Sequence, residues 1–306
     1  MFIVKHKTFF LGLAAVIIVA ALGSIITFGL HAGIEFTGGT LIELSHGADT
    51  NTVDRAAIEA AIDPLQLGVY SLRASDVSTS LNTGTGYLLR TRPVTIEERG
   101  VLNQALTNTG VSIDRFDEVG PTIGVELKHK AIVALLLIVL MIALYVAFVF
   151  RSVSKPVSSW VYGIITILIL GHDVLVPAGV FAYMGHAFGA EVDVLFVTAL
   201  LVVLGYSVND TIVVFDRIRE RLRVNSQINR REEFDITVGT ALSETYARSI
   251  NTSFTTLLVL IALYYFGGTA TTYFALMLIA GVVAGTYSSI FIAAPLLVAI
   301  NEWRSK

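Results

Sequence analysis

Residues 194–215 read VLFVTALLVVLGYSVNDTIVVF, an apolar run long enough to cross a bilayer, with one carboxylate, Asp210, set inside it. The hydrocarbon core of a bilayer is about 30 Å thick and takes about 20 helical residues to cross. Lipid offers no partner for a free backbone N–H or C=O, so the run must be helical. An ionised carboxylate at that depth costs roughly 2.5–3.5 kcal/mol on insertion scales. Chains keep such a group where it binds, pairs or carries a proton. Asp210 therefore points to a membrane machine driven by ions rather than to a passive anchor.

The rest of the chain agrees with a membrane setting. It has 306 residues, is 54% hydrophobic and only 15% charged, against about 25% charged in an average soluble protein. Six stretches are apolar and long enough to span: about 9–30, 129–150, 157–181, 193–215, 249–267 and 271–298. The first follows Lys5 and Lys7 as a signal peptide would, yet it exceeds the usual hydrophobic region of about 7–15 residues. Its exit, FGLHAGIEF, offers no good A-x-A cleavage site, so it is expected to be retained as a span.

Lys and Arg in short loops set orientation. Lys5 and Lys7 precede span one, and Arg151 and Lys155 lie between spans two and three. Arg217, Arg219, Arg221, Arg223, Arg230, Arg231 and Arg248 cluster after span four, and Arg304 and Lys306 follow span six. The opposite loops, about 182–192 and 268–270, carry none. Both termini are expected in the cytoplasm, with residues 31–128 outside. Between 31 and 127, thirteen Asp and Glu stand against six Arg, a field that argues against nucleic acid as a partner. The chain has no cysteine, so neither disulfides nor thiol chemistry enter.

The outside segment alternates strand and helix patterns. LIELS (41–45) has a period of two, and TVDRAAIEAAI (52–62) has helical spacing, an Asn or Thr start and a stop at Asp63-Pro64. GVYSLRAS and GYLLRTR read as strands separated by a loop, SDVSTSLNTGTG. TIEERGVLNQAL is a second helix in which Thr95 and Glu98 form a capping-box pattern, and VSIDRFDEVG closes as a strand. The order βαββαβ is the ferredoxin-like plan. The fold class expected is a polytopic α-helical membrane protein with six transmembrane helices and one α+β ferredoxin-like extracytoplasmic domain. Its parts are 1–30, holding the cytoplasmic N-terminus and first span; 31–128, the outside domain; and 129–306, five further spans. A basic stretch at about 217–247 is expected to lie helical at the cytoplasmic face.

Span four runs inward, so Asp210 lies six residues before Asp216, about 9 Å deep at 1.5 Å per residue. Span five returns from Arg248, with Thr252 and Thr255 following at helical spacing and Ser249, Ser253 and Thr256 on an adjoining stripe. Burial favours a neutral acid and a guanidinium favours its carboxylate, so moving that cation can switch protonation. A static ion pair or hydrogen-bonded clamp would use the same residues. Asp173, after His172 in span three, is a second intramembrane acid, and Pro177 one turn on is expected to kink that span. Gly281, Gly285 and Ser289 recur every four residues in span six, a small-residue packing pattern. Metal sites, nucleophile elbows and nucleotide loops are absent from the sequence, and no cofactor is expected. Gly38-Gly39 suggests a turn or bulge.

GIEFTGGT (33–40), VGPTIGVEL (119–127), GHD (171–173), GYSVNDTIVVFDRIRER (205–221) and ARSINTSFTT (247–256) together resemble the SecF branch of the SecD/SecF family. That family of protein-export membrane proteins is related to the resistance-nodulation-division transporters. The resemblance covers nearly the whole chain. It implies pairing with a SecD-like subunit and use of the proton motive force to assist polypeptide translocation through SecYEG, in the bacterial cytoplasmic (inner) membrane and in contact with its lipid. It places the essential acid at Asp210 and the coupled arginine at Arg248. The candidate proton-coupling residues are then Asp210, Arg248 and, beside them, Asn209, Asp173, Thr252 and Thr255. The family motif falls on Glu35, Phe36, Gly38, Gly39, Gly120 and Pro121, where Glu35 stands in place of the family's usual Asp. Two other readings stay open: half of a proton-driven small-molecule or lipid exporter of the same superfamily, and an assembly factor whose buried acid locks helices.

Overall fold

The apolar runs become helices because only a helix satisfies its own backbone in lipid. In the computed structural model, which describes residues 2–46, 55–79, 82–152, 157–229 and 232–305, α1 (Phe2–Lys5) leads into the first span, α2 (Lys7–Phe28). A single turn, α3 (Ile34–Thr37), follows at the far end of that span. The small domain then runs β1 (Gly39–His46), α4 (Arg55–Ile62), β2 (Ser71–Thr79), β3 (Asn82–Thr91), α5 (Ile96–Thr107) and β4 (Val111–Val119). The chain re-enters through α6 (Pro121–Val149), α7 (Ser159–Phe188), α8 (Val194–Gln227) and α9 (Phe234–Phe266). The last span is composite: α10 (Thr269–Ser288), a π-helical turn at Ser289–Ala293, and α11 (Ala294–Ser305). Among the described residues, six helices are long and apolar enough to cross a membrane.

The sheet order β2-β3-β1-β4, antiparallel throughout, is the ferredoxin-like arrangement. Alternate strand residues Ile42, Leu44, Leu72 and Leu89 point to one face, where Ile58 and Ile62 of α4 and Leu102 and Leu106 of α5 cover them. The capping box forms in full: Glu98 N–H donates to Thr95 Oγ1 at 3.2 Å, and Thr95 N–H donates to the Glu98 carboxylate at 2.8 Å.

Two expectations change. The Ser/Thr/Asn/Gly-rich stretch read as a loop is mostly strand, because Asp76, Val77, Ser78 and Thr79 pair with Thr85, Gly84, Thr83 and Asn82. A long two-stranded ribbon needs only ladder hydrogen bonds, so its polar composition misled the reading. Helices also outrun the apolar runs. α8 continues to Gln227 and α9 already begins at Phe234, so most of 217–247 is the paired ends of two spans rather than a separate surface segment. Arg217 and Arg221 of α8 both reach Glu244 of α9 and hold those ends together. Pro177 is buried inside α7, which runs unbroken from Ser159 to Phe188. Lys155, Arg230, Arg231, Lys306, Asp49, Asp54 and the Asn51–Thr52 helix start lie outside the described residues.

α7, α8 and the last span form the centre of the bundle, with α2, α6 and α9 largely exposed around them. One apolar cluster gathers Phe150, Tyr162, Ile165, Phe215, Ile218 and Leu297. A second gathers Phe181, Met184, Leu200, Val203, Met277 and Val282. Along each central helix, the residues between these two clusters are polar and buried: His172 and Asp173, Ser207 and Asp210, Ser288 and Ser289. The candidate site is that layer.

Candidate functional site

Small residues create the layer. A Cβ on Gly285 of α10 would sit 3.1 Å from the Cβ of Ser207 on α8, and one on Gly281 would collide with Val203. The two backbones thus approach closely, as stripes of small residues permit in membranes. Their closeness brings hydroxyls on α10 to acids on α7 and α8. Gly179 does the same against Ala21, where Ser24 Oγ of α2 donates to the Gly179 carbonyl at 2.7 Å.

Asp173 is fully buried. His172 Nδ1 pairs with its Oδ1 at 2.7 Å, while Ser288 Oγ donates to Oδ2 at 2.7 Å and Ser207 Oγ donates to the same oxygen. Helices α7, α8 and α10 therefore converge on one carboxyl. Pro177 also lacks the N–H that would bond the Asp173 carbonyl in a regular helix. The His172 ring lies 6.1 Å from that of Tyr287 in a stacked arrangement, and its Nε2 is buried with no hydrogen-bond partner.

Asp210 is 4% exposed and accepts a hydrogen bond from Ser289 Oγ at 3.2 Å. Ser249 of α9 lies beside it, its hydroxyl buried but outside hydrogen-bond geometry. One turn outward, Ser253 of α9 accepts from Tyr206 Oη of α8 at 3.0 Å and from Thr286 Oγ1 of α10 at 2.6 Å. The inward stripe of α9 is thus Ser249 and Ser253. Thr252 and Thr255 donate to backbone carbonyls of their own helix, and Thr255 is exposed. Arg248 and Asn209 also lie exposed, on the flank next to Asp210. Among the described residues Arg248 makes no ion pair there. It lines a groove of about 320 Å³ with Asp216, Arg217, Glu220, Glu244 and Thr245, and Asp216 lies 3.8 Å from Arg219.

The other candidate residues meet at the outer joint. Gly38 has φ +74°, and a Cβ there would come within 2.8 Å of Pro121 Cα. Gly39 has φ +137°, where a Cβ would meet the Thr91 carbonyl at 2.8 Å, and a Cβ on Gly124 of α6 would meet the Phe36 and Gly38 backbone at 2.9–3.3 Å. The segment leaving span one crosses the segment entering span two here, with no room for side chains. Gly120 lies in open space and caps α6 before Pro121. Ala32 and Val192 form a parallel bridge, in which Gly33 N–H donates to the Val192 carbonyl at 2.8 Å. Arg90 of β3 ties the domain to this joint by donating to the Ala32 carbonyl, Glu191 and Thr37. Burial pushes the Glu35 carboxyl up, with Asp193, Glu191 and Asp117 adding to it against its own backbone N–H. Among the described residues no His, Asp and Glu group is placed to hold a metal.

Comparison with known proteins bears on all of this geometry. The family description "Protein export membrane protein SecD/SecF, C-terminal" matches residues 101–303, and "SecD/SecF GG Motif" matches 23–45. The "Protein translocase subunit SecF" of Thermobaculum terrenum is 40% identical over 99% of this chain and 94% of its own. The chain belongs to the SecD/SecF family of protein-export membrane proteins. The SecF of Anaerolinea thermophila is 36% identical over 99% of this chain and 96% of its own. Such relatives are translocase subunits, transport components rather than enzymes. Among solved structures, the SecDF of Thermus thermophilus, titled a translocon-associated membrane protein, superposes with a TM-score of 0.78 at 29% identity, over 99% of this chain. A SecDF in a super-membrane-facing form gives 0.64 at 32% identity over 98% of this chain. This chain spans 38% of each SecDF chain.

Sequence reasoning found both acids, Arg248, the GG pair and the small-residue stripe. It did not find Ser207 or Ser288 as partners of Asp173, the role of Gly124, or the clamp made by Arg90. A rule giving every buried acid its donors would have pointed to those serines. Gly124 lies within the quoted VGPTIGVEL stretch without its role being read, and nothing in the local pattern marks Arg90.

Proposed function

We propose that this chain is the SecF-type half of a proton-driven translocation auxiliary. It pairs with a SecD-like subunit in the bacterial cytoplasmic membrane, with both termini inside, and assists polypeptide emerging from SecYEG. The single observation carrying this reading is Asp210: a carboxyl almost shut off from solvent, held by one serine, with no cation paired to it among the described residues. Arg248 stands on the adjoining exposed flank, free to approach. In this reading Asp210 takes up a proton, Arg248 answers the change in charge, and Asp173 belongs to the same polar layer. Asn209, Thr252 and Thr255 then belong to the flank facing the partner.

Two further observations support the pairing. α9 carries Arg248 and Thr255 on its outer side next to the exposed Asn209, an expensive surface to leave to lipid. The chain also spans only 38% of SecDF. Each proton crossing 100 mV releases about 2.3 kcal/mol, which is the drive available to such a cycle. Residues 31–128 on the outer side would meet the emerging chain.

The test is secretion into proteoliposomes holding SecYEG, a SecD-like subunit and either the wild-type chain or Asp210→Asn. The variant should assemble normally and lose the stimulation that an imposed proton gradient gives. Wild-type stimulation by the variant would remove Asp210 from the energy-coupling step.

A further inference from the structure

The two buried acids are held by consecutive residues. Ser288 closes α10 and donates to Asp173, while Ser289 opens the π-helical turn and donates to Asp210. Single π turns inside α-helices recur at functional sites, since the extra residue re-aims neighbouring side chains. Here the break lets two adjacent serines serve acids on two different helices.

Each serine also has a second acceptor. Ser288 Oγ lies 3.0 Å from the Gly285 carbonyl, and Ser289 Oγ lies 3.1 Å from the Thr286 carbonyl. A hydroxyl has one hydrogen to donate, so each serine must favour either its acid or its own helix. An acid that gains a proton becomes a donor itself and no longer requires the serine's hydrogen. The serine then turns to its own carbonyl, or receives the acid's proton as an acceptor. Either change acts on a turn whose next residue holds the other acid.

We infer that the Ser288–Ser289 step at the π-helical break couples Asp173 to Asp210, so that the protonation of one acid sets the hydrogen bonding, and hence the proton affinity, of the other. This rests on the proposed reading of Asp210 as a proton carrier and gives its acid a partner within the same chain. Ser288 and Ser289 are positioning residues. α7 runs outward and α8 inward, and Ser207, which meets Asp173, stands three residues before Asp210. That offset is about 4.5 Å at 1.5 Å per residue. Asp173 therefore lies on the outer side of Asp210, upstream for a proton entering from outside.

The titratable and charged groups facing the pair come from each packed helix. α7 gives His172 against Asp173, α10 gives Tyr287 over the His172 ring, and α9 gives Arg248 toward Asp210. α8 supplies Tyr206 in the outer hydroxyl layer, and α2 presents the Phe10 carbonyl, to which Tyr287 Oη donates at 2.8 Å.

The test follows the Asp210 carboxyl by infrared difference spectroscopy across pH, on the full chain with its SecD-like partner in lipid. The band is assigned by its loss in Asp210→Asn. Asp173→Asn and Ser288→Ala should each move the Asp210 midpoint by about one pH unit or more, the size at which two sites titrate as a coupled pair. Ser288→Thr, which keeps the hydroxyl, should restore it. A midpoint moved by Asp173→Asn but not by Ser288→Ala means coupling through space, and overturns the role of the π break. An Asp210 band that titrates identically in all variants overturns the coupling and leaves Asp210 as a lone carrier. Absence of any titrating Asp210 band overturns this inference together with the reading beneath it.

Discussion

The ferredoxin-like domain and the membrane layer use the same side chains to opposite ends. In the domain, Glu98 meets Arg92 at 2.5 Å and caps α5 with both groups in water. In the bundle, Asp173 and Asp210 meet serines and a histidine, and among the described residues neither has an arginine or lysine ion pair. Water screens a charge and lets an ion pair form cheaply, at about 0–1 kcal/mol of stability. A low dielectric makes each polar partner count, so a few hydroxyls decide what a buried acid does. The packing differs as well. The domain is held by large apolar side chains that leave water. Lipid tails are as apolar as leucine, so the bundle must be held by close backbone approach and polar contacts. A domain core resists losing volume; a membrane seam resists gaining it.

The largest effects should come from testing that contrast directly. Leu102→Ala empties a fully buried site beneath the sheet and should cost the domain about 2–5 kcal/mol. Gly285→Leu fills the seam against Ser207 and should cost the bundle about 1–3 kcal/mol while parting the serines from their acids. Hydrogen exchange on the purified chain resolves the two regions. A uniform loss of protection from either change would break the contrast.

A smaller effect is expected at the α5 cap. Thr95→Ala should weaken that helix by about 1 kcal/mol, the usual worth of an N-cap hydroxyl. The loss should appear as faster exchange of the first-turn amides, with the membrane helices unchanged.

The smallest effects are pH-dependent and have opposite signs. Arg92, and then the Thr95 N–H, hold the Glu98 carboxyl down to about 2 from its ordinary 4.5. Its contribution is therefore present above about pH 4.5 and fades as pH falls toward about 2. Glu35 is pushed up by burial, so its contribution is present below its ordinary 4.5 and is lost as pH rises through the raised value. Glu98→Gln should flatten the acid limb of the thermal midpoint. Glu35→Gln should raise that midpoint slightly near neutral pH and leave it unchanged in acid. Matching pH profiles for the two variants would mean that the outer joint is as wet as the domain surface.

Much of the fold was legible because its signals are periodic. Apolar runs of about 20 residues announce spans, and the Thr95–Glu98 pattern announced a helix start that forms in full. Both strands β2 and β3 were read, but their continuation as a ribbon was missed because ladder hydrogen bonds belong to the backbone and leave Ser, Thr and Gly looking like a loop. The helical character of 217–247 was read, but not that it continues spans α8 and α9, because polar helices lose their apolar signature once they leave lipid, while Glu244 goes on joining them. At the site, Asp173 and Asp210 stood out because acids are rare in apolar runs. Ser207 and Ser288 did not, and Ser289 showed only as part of a packing stripe, since serine is common and small enough to serve only for packing.

Sequence alone indicated six helices able to cross a membrane, one ferredoxin-like domain, and two acids within the apolar spans. Only the tertiary structure decided which hydroxyls those acids hold, and that adjacent serines on a broken helix hold one each. The reason is one of range. Hydropathy and capping act within a few residues, whereas Asp173 meets Ser288 only because Gly281 and Gly285 let helices distant in sequence come close.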